Sequence, residues 1–151
     1  MAITPYLLYR DAGAAVDWLV KAFGLSATRD IFKGADGRVS HASLTFGKAV
    51  LMLGSPGPDF KGPRAIGHAT QNLYVDVDNV DKHYARAVAA GAAIIEQPRE
   101  TPYGARRYGA EDLEGHRWYF AQELAPKRKS AKKPGEAAKK AKARGGKRAQ
   151  K

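Results

Sequence analysis

The chain contains the same punctuation twice. Asp11 precedes AGAAVDWLVKAF and Gly24 follows it; Asp78 precedes NVDKHYARAVAA and Gly91 follows it, with 13 residues from Asp to Gly each time. Aspartate caps a helix start because its carboxylate accepts a backbone N–H of the first turn. Glycine closes a helix because it takes the left-handed conformation without strain. Between these marks the apolar residues recur at helical spacing, Val16, Leu19, Val20 and Phe23 in the first segment and Val80, Tyr84, Ala87 and Val88 in the second. A strand-like run leads into each cap, TPYLLYR in one case and NLYVDV in the other.

The later parts of the two segments match more loosely. Gly47 opens GKAVLML and Gly115 opens GHRWYFA, an offset of 68 against 67 at the helices. The pattern predicts strand, helix and three further strands, twice over. Strands are expected near residues 3–9, 27–33, 38–46 and 48–54, then near 71–77, 92–98, 104–111 and 117–122, with ADGR (35–38) as a hairpin turn. The Gly- and Pro-rich stretch 54–68 reads as the connector. A unit of this size is marginal alone, so the two are expected to share a core.

Charge divides the chain differently. Residues 127–151 take 12 of the 26 Lys and Arg and one of the 15 acids, leaving 14 of each sign in residues 1–126. This tail has no aromatic, Leu, Ile or Val and is expected to be disordered. The predicted organisation is therefore a folded domain at 1–125 and a basic, Lys/Ala-rich tail at 126–151. The tail reads as an arm for non-specific nucleic-acid binding or as a solubilising extension. There is no cysteine, which removes disulfides, thiolate metal sites and a cysteine nucleophile. No signal core and no apolar run near the roughly 20 residues that span a bilayer is found, so a cytoplasmic protein without membrane insertion is expected.

TPYLLYRDAGAAVDWLVKAFG, NLYVDVDNVDKHYARAVAAGA and YGARRYGAEDLEGHRWYF, in a tandem βαβββ order, resemble the vicinal oxygen chelate superfamily of glyoxalases, bleomycin-resistance proteins and dioxygenases. The resemblance covers about residues 3–123 and implies an α+β fold. Each unit, about 3–54 and 71–123, would form a curved mixed sheet with its helix on the convex side, the two enclosing a cleft. It also implies a homodimer and a small organic ligand.

Metal-dependent members place ligands on the first and last strand of each unit. Carried over, those positions are Pro5, Leu51, Asn72 and Tyr119, or Tyr6, Met52, Gln71 and Phe120 one residue along. Neither set suits zinc or iron, which need about three or four imidazole, carboxylate or thiolate ligands. No cofactor is expected.

In SHASLTF the apolar residues alternate with His41, Ser43 and Thr45, which turns His41 and Ser43 to the cleft. His41 is the one candidate for acid–base work; the plainer reading is a hydrogen-bonded strand histidine. By the same alternation Leu51, Asn72, Tyr74 and Tyr119 face the cleft, Leu7, Tyr9 and Leu53 add to its floor, and Trp118 and Phe120 are core. The loop TPYGARRYG brings Tyr103, Arg106, Arg107 and Tyr108 to the mouth, where the arginines, Arg106 first, would recognise a carboxylate or phosphate or else form an ion pair. The leading expectation is metal-independent ligand binding similar to the bleomycin-resistance type. One rival is a lyase, isomerase or dioxygenase with a non-standard metal site or a His41 base. Another is an adaptor tethered to nucleic acid by the tail.

Overall fold

A computed structural model describes residues 1–126; the tail 127–151 lies outside the described residues. The first unit runs β1 (Tyr6–Leu8), α1 (Ala12–Phe23), β2 (Ser26–Lys33), β3 (Val39–Phe46) and β4 (Ala49–Gly54). A helical turn, α2 (Pro63–Ile66), interrupts the connector. The second unit runs β5 (Asn72–Asp76), α3 (Val80–Ala89), β6 (Ala93–Glu100), β7 (Ala105–Glu111) and β8 (Arg117–Glu123).

Each unit forms one four-stranded mixed sheet, ordered β1-β4-β3-β2 in the first and β5-β8-β7-β6 in the second. The first strand lies parallel to the last, and the remaining pairs are antiparallel. The expected α+β, tandem βαβββ fold is what the chain adopts.

The helices start and stop for local reasons. Asp11 accepts a hydrogen bond from the Ala14 N–H at 3.0 Å, and Gly24 closes α1 at φ 76°. The second cap differs from expectation: Asn79, not Asp78, accepts from the Lys82 N–H at 2.9 Å. Both residues carry a capping oxygen. Gln122 on β8 holds the Val80 N–H at 3.1 Å, which sets the entry into α3 one residue later.

One core serves both units. Leu7, Leu44, Leu51 and Leu53 point from the first sheet to α1, which contributes Val16, Leu19 and Phe23. Phe23 continues into the second unit, with ring centroids 5.3 Å from Trp118 and 4.7 Å from Phe120. Each such side chain taken from water stabilises the fold by roughly 1.5–3 kcal/mol.

The turn Asp112 to His116 latches the units together. The buried Asp112 carboxylate accepts from Tyr9 Oη at 2.7 Å, Trp118 Nε1 at 3.1 Å, and the Glu114 and His116 N–H groups at 3.0 Å each. Glu114 accepts from the N–H groups of Arg10 and Asp11 at 2.7 and 3.0 Å. Gly115 has φ 89°, and a Cβ there would lie 2.7 Å from the Arg64 backbone nitrogen, so only glycine fits. Among the described residues no helix is long and apolar enough to cross a membrane.

Candidate functional site

Each sheet has one face against a helix and one face open. Cross-strand register assigns the open faces. In the first unit Tyr6 pairs with Met52, Met52 with Ser43, and His41 with both Gly54 and Phe32. Tyr6, Leu8, Phe32, His41, Ser43, Val50 and Met52 therefore share the open side. Four of these are exposed apolar or aromatic residues: Tyr6, Leu8, Phe32 and Val50.

The polar group of this face is a pair. Tyr6 Oη lies 2.8 Å from His41 Nδ1, and the Phe32 ring centroid is 5.9 Å from that of His41. Gly54 makes room for it. A Cβ there would sit 2.6 Å from Tyr6 Oη and 2.8 Å from the Ser40 carbonyl oxygen. A hydroxyl donating to Nδ1 leaves the imidazole proton on Nε2, so the pair can anchor a hydrogen-bonding ligand or exchange a proton with it.

The second open face is built alike but filled differently. Tyr74, Tyr119 and Gly109 lie in register, and Asn72 pairs with Arg117 on the same side. Gly109 again makes room for a tyrosine: a Cβ would lie 2.8 Å from Tyr119 Cε1 and 3.1 Å from Ile95 Cγ1. The Arg107 guanidinium carbon stands 4.8 Å from the Tyr119 ring centroid. Glu96 holds that guanidinium at 2.8 Å through Nε and 3.1 Å through Nη2, and Nη1 donates to Tyr103 Oη at 3.0 Å. The Arg107 hydrogen bonds keep the Glu96 carboxyl below its ordinary pKa. Tyr103 is lowered, first by its hydrogen bond with Tyr74; Tyr74 is raised, first by burial.

The structure places His41, Ser43, Asn72, Tyr74 and Tyr119 on the open faces, and Tyr103 beside Arg107. Other placements differ. Leu7, Tyr9 and Leu53 are buried on the opposite side of their strands, and Tyr6, Leu8 and Met52 take the open side; Leu51 is buried with them but also lines a cavity of about 540 Å³ with Val50, Leu73 and Tyr74. Tyr108 is fully buried, its hydroxyl 2.7 Å from His83 Nδ1. Arg106 turns to the helix side and pairs with Asp81 of α3 at 2.8 Å. His83 is half-buried between the units, and its Nε2 donates to the Phe23 carbonyl at 2.9 Å. Arg107, expected at the mouth beside Arg106, takes the opposite face of β7, and Glu96, which the sequence did not single out, faces it from β6.

Metal chemistry can be tested on the donor set. The positions carried over from metal-dependent relatives, Pro5, Leu51, Asn72 and Tyr119 or Tyr6, Met52, Gln71 and Phe120, include no carboxylate and no imidazole. Among the described residues no three His, Cys, Asp or Glu converge to hold an ion. These residues do not fit a metal of the zinc or iron type. A cavity of about 600 Å³ lies elsewhere, between the connector and the turn at Glu114; its carboxylate there is committed to Arg10 and Asp11.

The uncharacterized protein Mb0911c of Mycobacterium bovis is 30% identical over 126 residues, covering 80% of this chain and 82% of its own length. Among solved structures, TioX from Micromonospora sp. ML1 is similar at 36% identity and TM-score 0.67, covering 82% of this chain and 99% of that one. The bleomycin resistance determinant encoded on transposon Tn5 shares the fold at 17% identity and TM-score 0.62, covering 83% and 99%. The family profile of the Glyoxalase/Bleomycin resistance protein/Dioxygenase superfamily matches residues 3–120, and the chain belongs to that superfamily.

Proposed function

We propose that this chain is a metal-independent small-molecule-binding member of the superfamily, similar to the bleomycin-resistance type, that sequesters an organic ligand in a dimeric cleft. The observation that carries the reading is the pair of open sheet faces, floored by tyrosines and lacking a metal-ligand set. Monomeric proteins rarely leave contiguous apolar patches uncovered, and such patches mark binding surfaces. Tyr6, Leu8, Phe32 and Val50 form one, and Tyr74 and Tyr103 contribute to the other.

A dimer is favoured by the thin cover of the second unit. No residue of the edge strand β5 is buried, and Val88 of α3 and Ile95 of β6 are exposed. Stacking the open face of one protomer on that of its partner would close a cleft with one apolar and one tyrosine-rich wall. Element analysis of the purified protein, with sedimentation velocity on the same sample, tests the reading. The expected result is substoichiometric metal and twice the mass of one chain. One tightly bound Zn, Fe, Mn or Ni per chain, held at the open faces, overturns it and favours a lyase, isomerase or dioxygenase.

The concentration of excess charge in residues 127–151 supports a second role, a non-specific nucleic-acid tether. Truncation after Ala125 should abolish duplex DNA binding at low salt. Unchanged binding sinks that role and leaves the ligand reading intact.

A further inference from the structure

The second open face carries information about the ligand itself. A guanidinium has five N–H donors in one plane, and it recognises carboxylates or phosphates through its edges. Three of the five donors of Arg107 are committed, which leaves one on Nη1 and one on Nη2. Glu96 takes the Nε and Nη2 side in a bidentate pair, and the Tyr103 hydroxyl takes a donor of Nη1. One flat side of the group lies over Tyr119 at 4.8 Å. The side chain still keeps 22% of its surface exposed. What it has left to offer is its outward face and two donors, beside a carboxylate that already balances its charge.

The supports of this arrangement are themselves specific. Gly109 lets the Tyr119 ring lie across β7, and Tyr74 stands in register beside it on β5. Glu96 is held in turn by Arg99 at 3.3 Å, so the guanidinium cannot swing away without leaving a carboxylate poorly paired. The result is a flat cationic plate resting on a tyrosine and edged by two further tyrosines.

We infer that Arg107 is a specificity-determining residue that stacks on a planar, electron-rich aromatic ring of the ligand and does not clamp an anion. This rests on the ligand-binding reading above and names the chemical class the site takes. A cation over an aromatic face gains from the ring quadrupole, more so when both are withdrawn from water. A saturated ring of the same size gains nothing of the kind, and an anion would meet Glu96.

Calorimetric titration of the full chain with 2-naphthol, decahydro-2-naphthol and 2-naphthoate tests this. The expected order is 2-naphthol tightest, with the saturated analogue about ten-fold weaker. Arg107→Gln removes both the cation and the guanidinium stack; it should lower 2-naphthol binding about ten-fold, to the level of decahydro-2-naphthol. Tyr119→Leu, which removes the support, should do likewise, with the thermal unfolding midpoint recorded for both variants. Equal binding of the aromatic and saturated probes, or a preference that survives Arg107→Gln, overturns the stacking role and leaves the ligand-binding reading standing. Tighter binding of 2-naphthoate than of 2-naphthol also overturns it, since the edges would then be doing the recognition. Absence of binding by all three at millimolar concentration overturns both.

Discussion

The two units have the same order of elements and put it to different uses. In the first, α1 buries six residues and the turn between β3 and β4 is a two-residue hairpin at Gly47 and Lys48. In the second, α3 buries only Val80 and Ala87, and the corresponding turn is lengthened to five residues that reach across the molecule. The first unit supplies most of the core. The second supplies the latch, the cross-unit clamps from α3, and the polar open face.

If that division is right, the two turns should respond in opposite ways. Asp112→Ala removes a buried acceptor from four donors, two of them the side chains of Tyr9 and Trp118. Unsatisfied buried groups and lost charged hydrogen bonds are each worth one to three kcal/mol, so a loss of about 3 kcal/mol or more is expected in urea unfolding. Lys48→Ala at the matching turn should leave the midpoint unchanged. Equal effects at the two turns would remove the latch from the account.

The glycines beneath the tyrosines sharpen the comparison at a smaller scale. An alanine at Gly54 meets the Ser40 carbonyl, which is backbone and cannot yield cheaply, whereas one at Gly109 meets only the Tyr119 and Ile95 side chains. Overpacking costs typically 1–3 kcal/mol, and Gly54→Ala should fall in that range with Gly109→Ala below it. The order of the two thermal midpoints checks this.

Arg86 reaches from α3 to the end of α1, where Nε and Nη2 donate to the Lys21 and Val20 carbonyls at 2.9 Å each. A cation at a helix C-terminus contributes about 1 kcal/mol, and Arg86→Ala should cost that much in denaturant unfolding.

The mildest effect should come from pH. Burial holds the His83 imidazole below its ordinary pKa near 6.5, and nearby Arg86 adds to this, while the Phe23 carbonyl opposes it. The neutral ring is the form the folded state prefers. The unfolded chain therefore takes up the proton first. The contribution of His83 is present above pH 6.5 and falls away as pH drops through the folded-state value. Unfolding curves between pH 7.5 and 5 should show a decline that His83→Gln flattens. An unaltered slope in that variant would mean that other groups carry it.

The repeat, the element order and the caps of α1 were all legible in the sequence, because Asp, Gly and helical spacing act locally. The faces of the first unit were not. Alternation phases a strand only when one side is polar, and YLL in β1 and AVLML in β4 are apolar on both. Gly47 and Gly115 then offered a false register mark, since their turns differ in length. That is how Leu51 was set opposite Tyr119, where the fold puts Met52. His83 had a signal: Val80, His83, Tyr84 and Ala87 lie on one helical face. Glu96 as the partner of Arg107 depended on a pairing between β6 and β7 that residue types alone did not fix.

The central claim is that the open faces bind an organic ligand without metal. The most direct measurement is the calorimetric isotherm of 2-naphthol taken on the protein as purified, after EDTA treatment, and after addition of Zn, Ni or Mn. The account predicts one affinity in all three states. Loss of binding with EDTA and its recovery with a metal would contradict it.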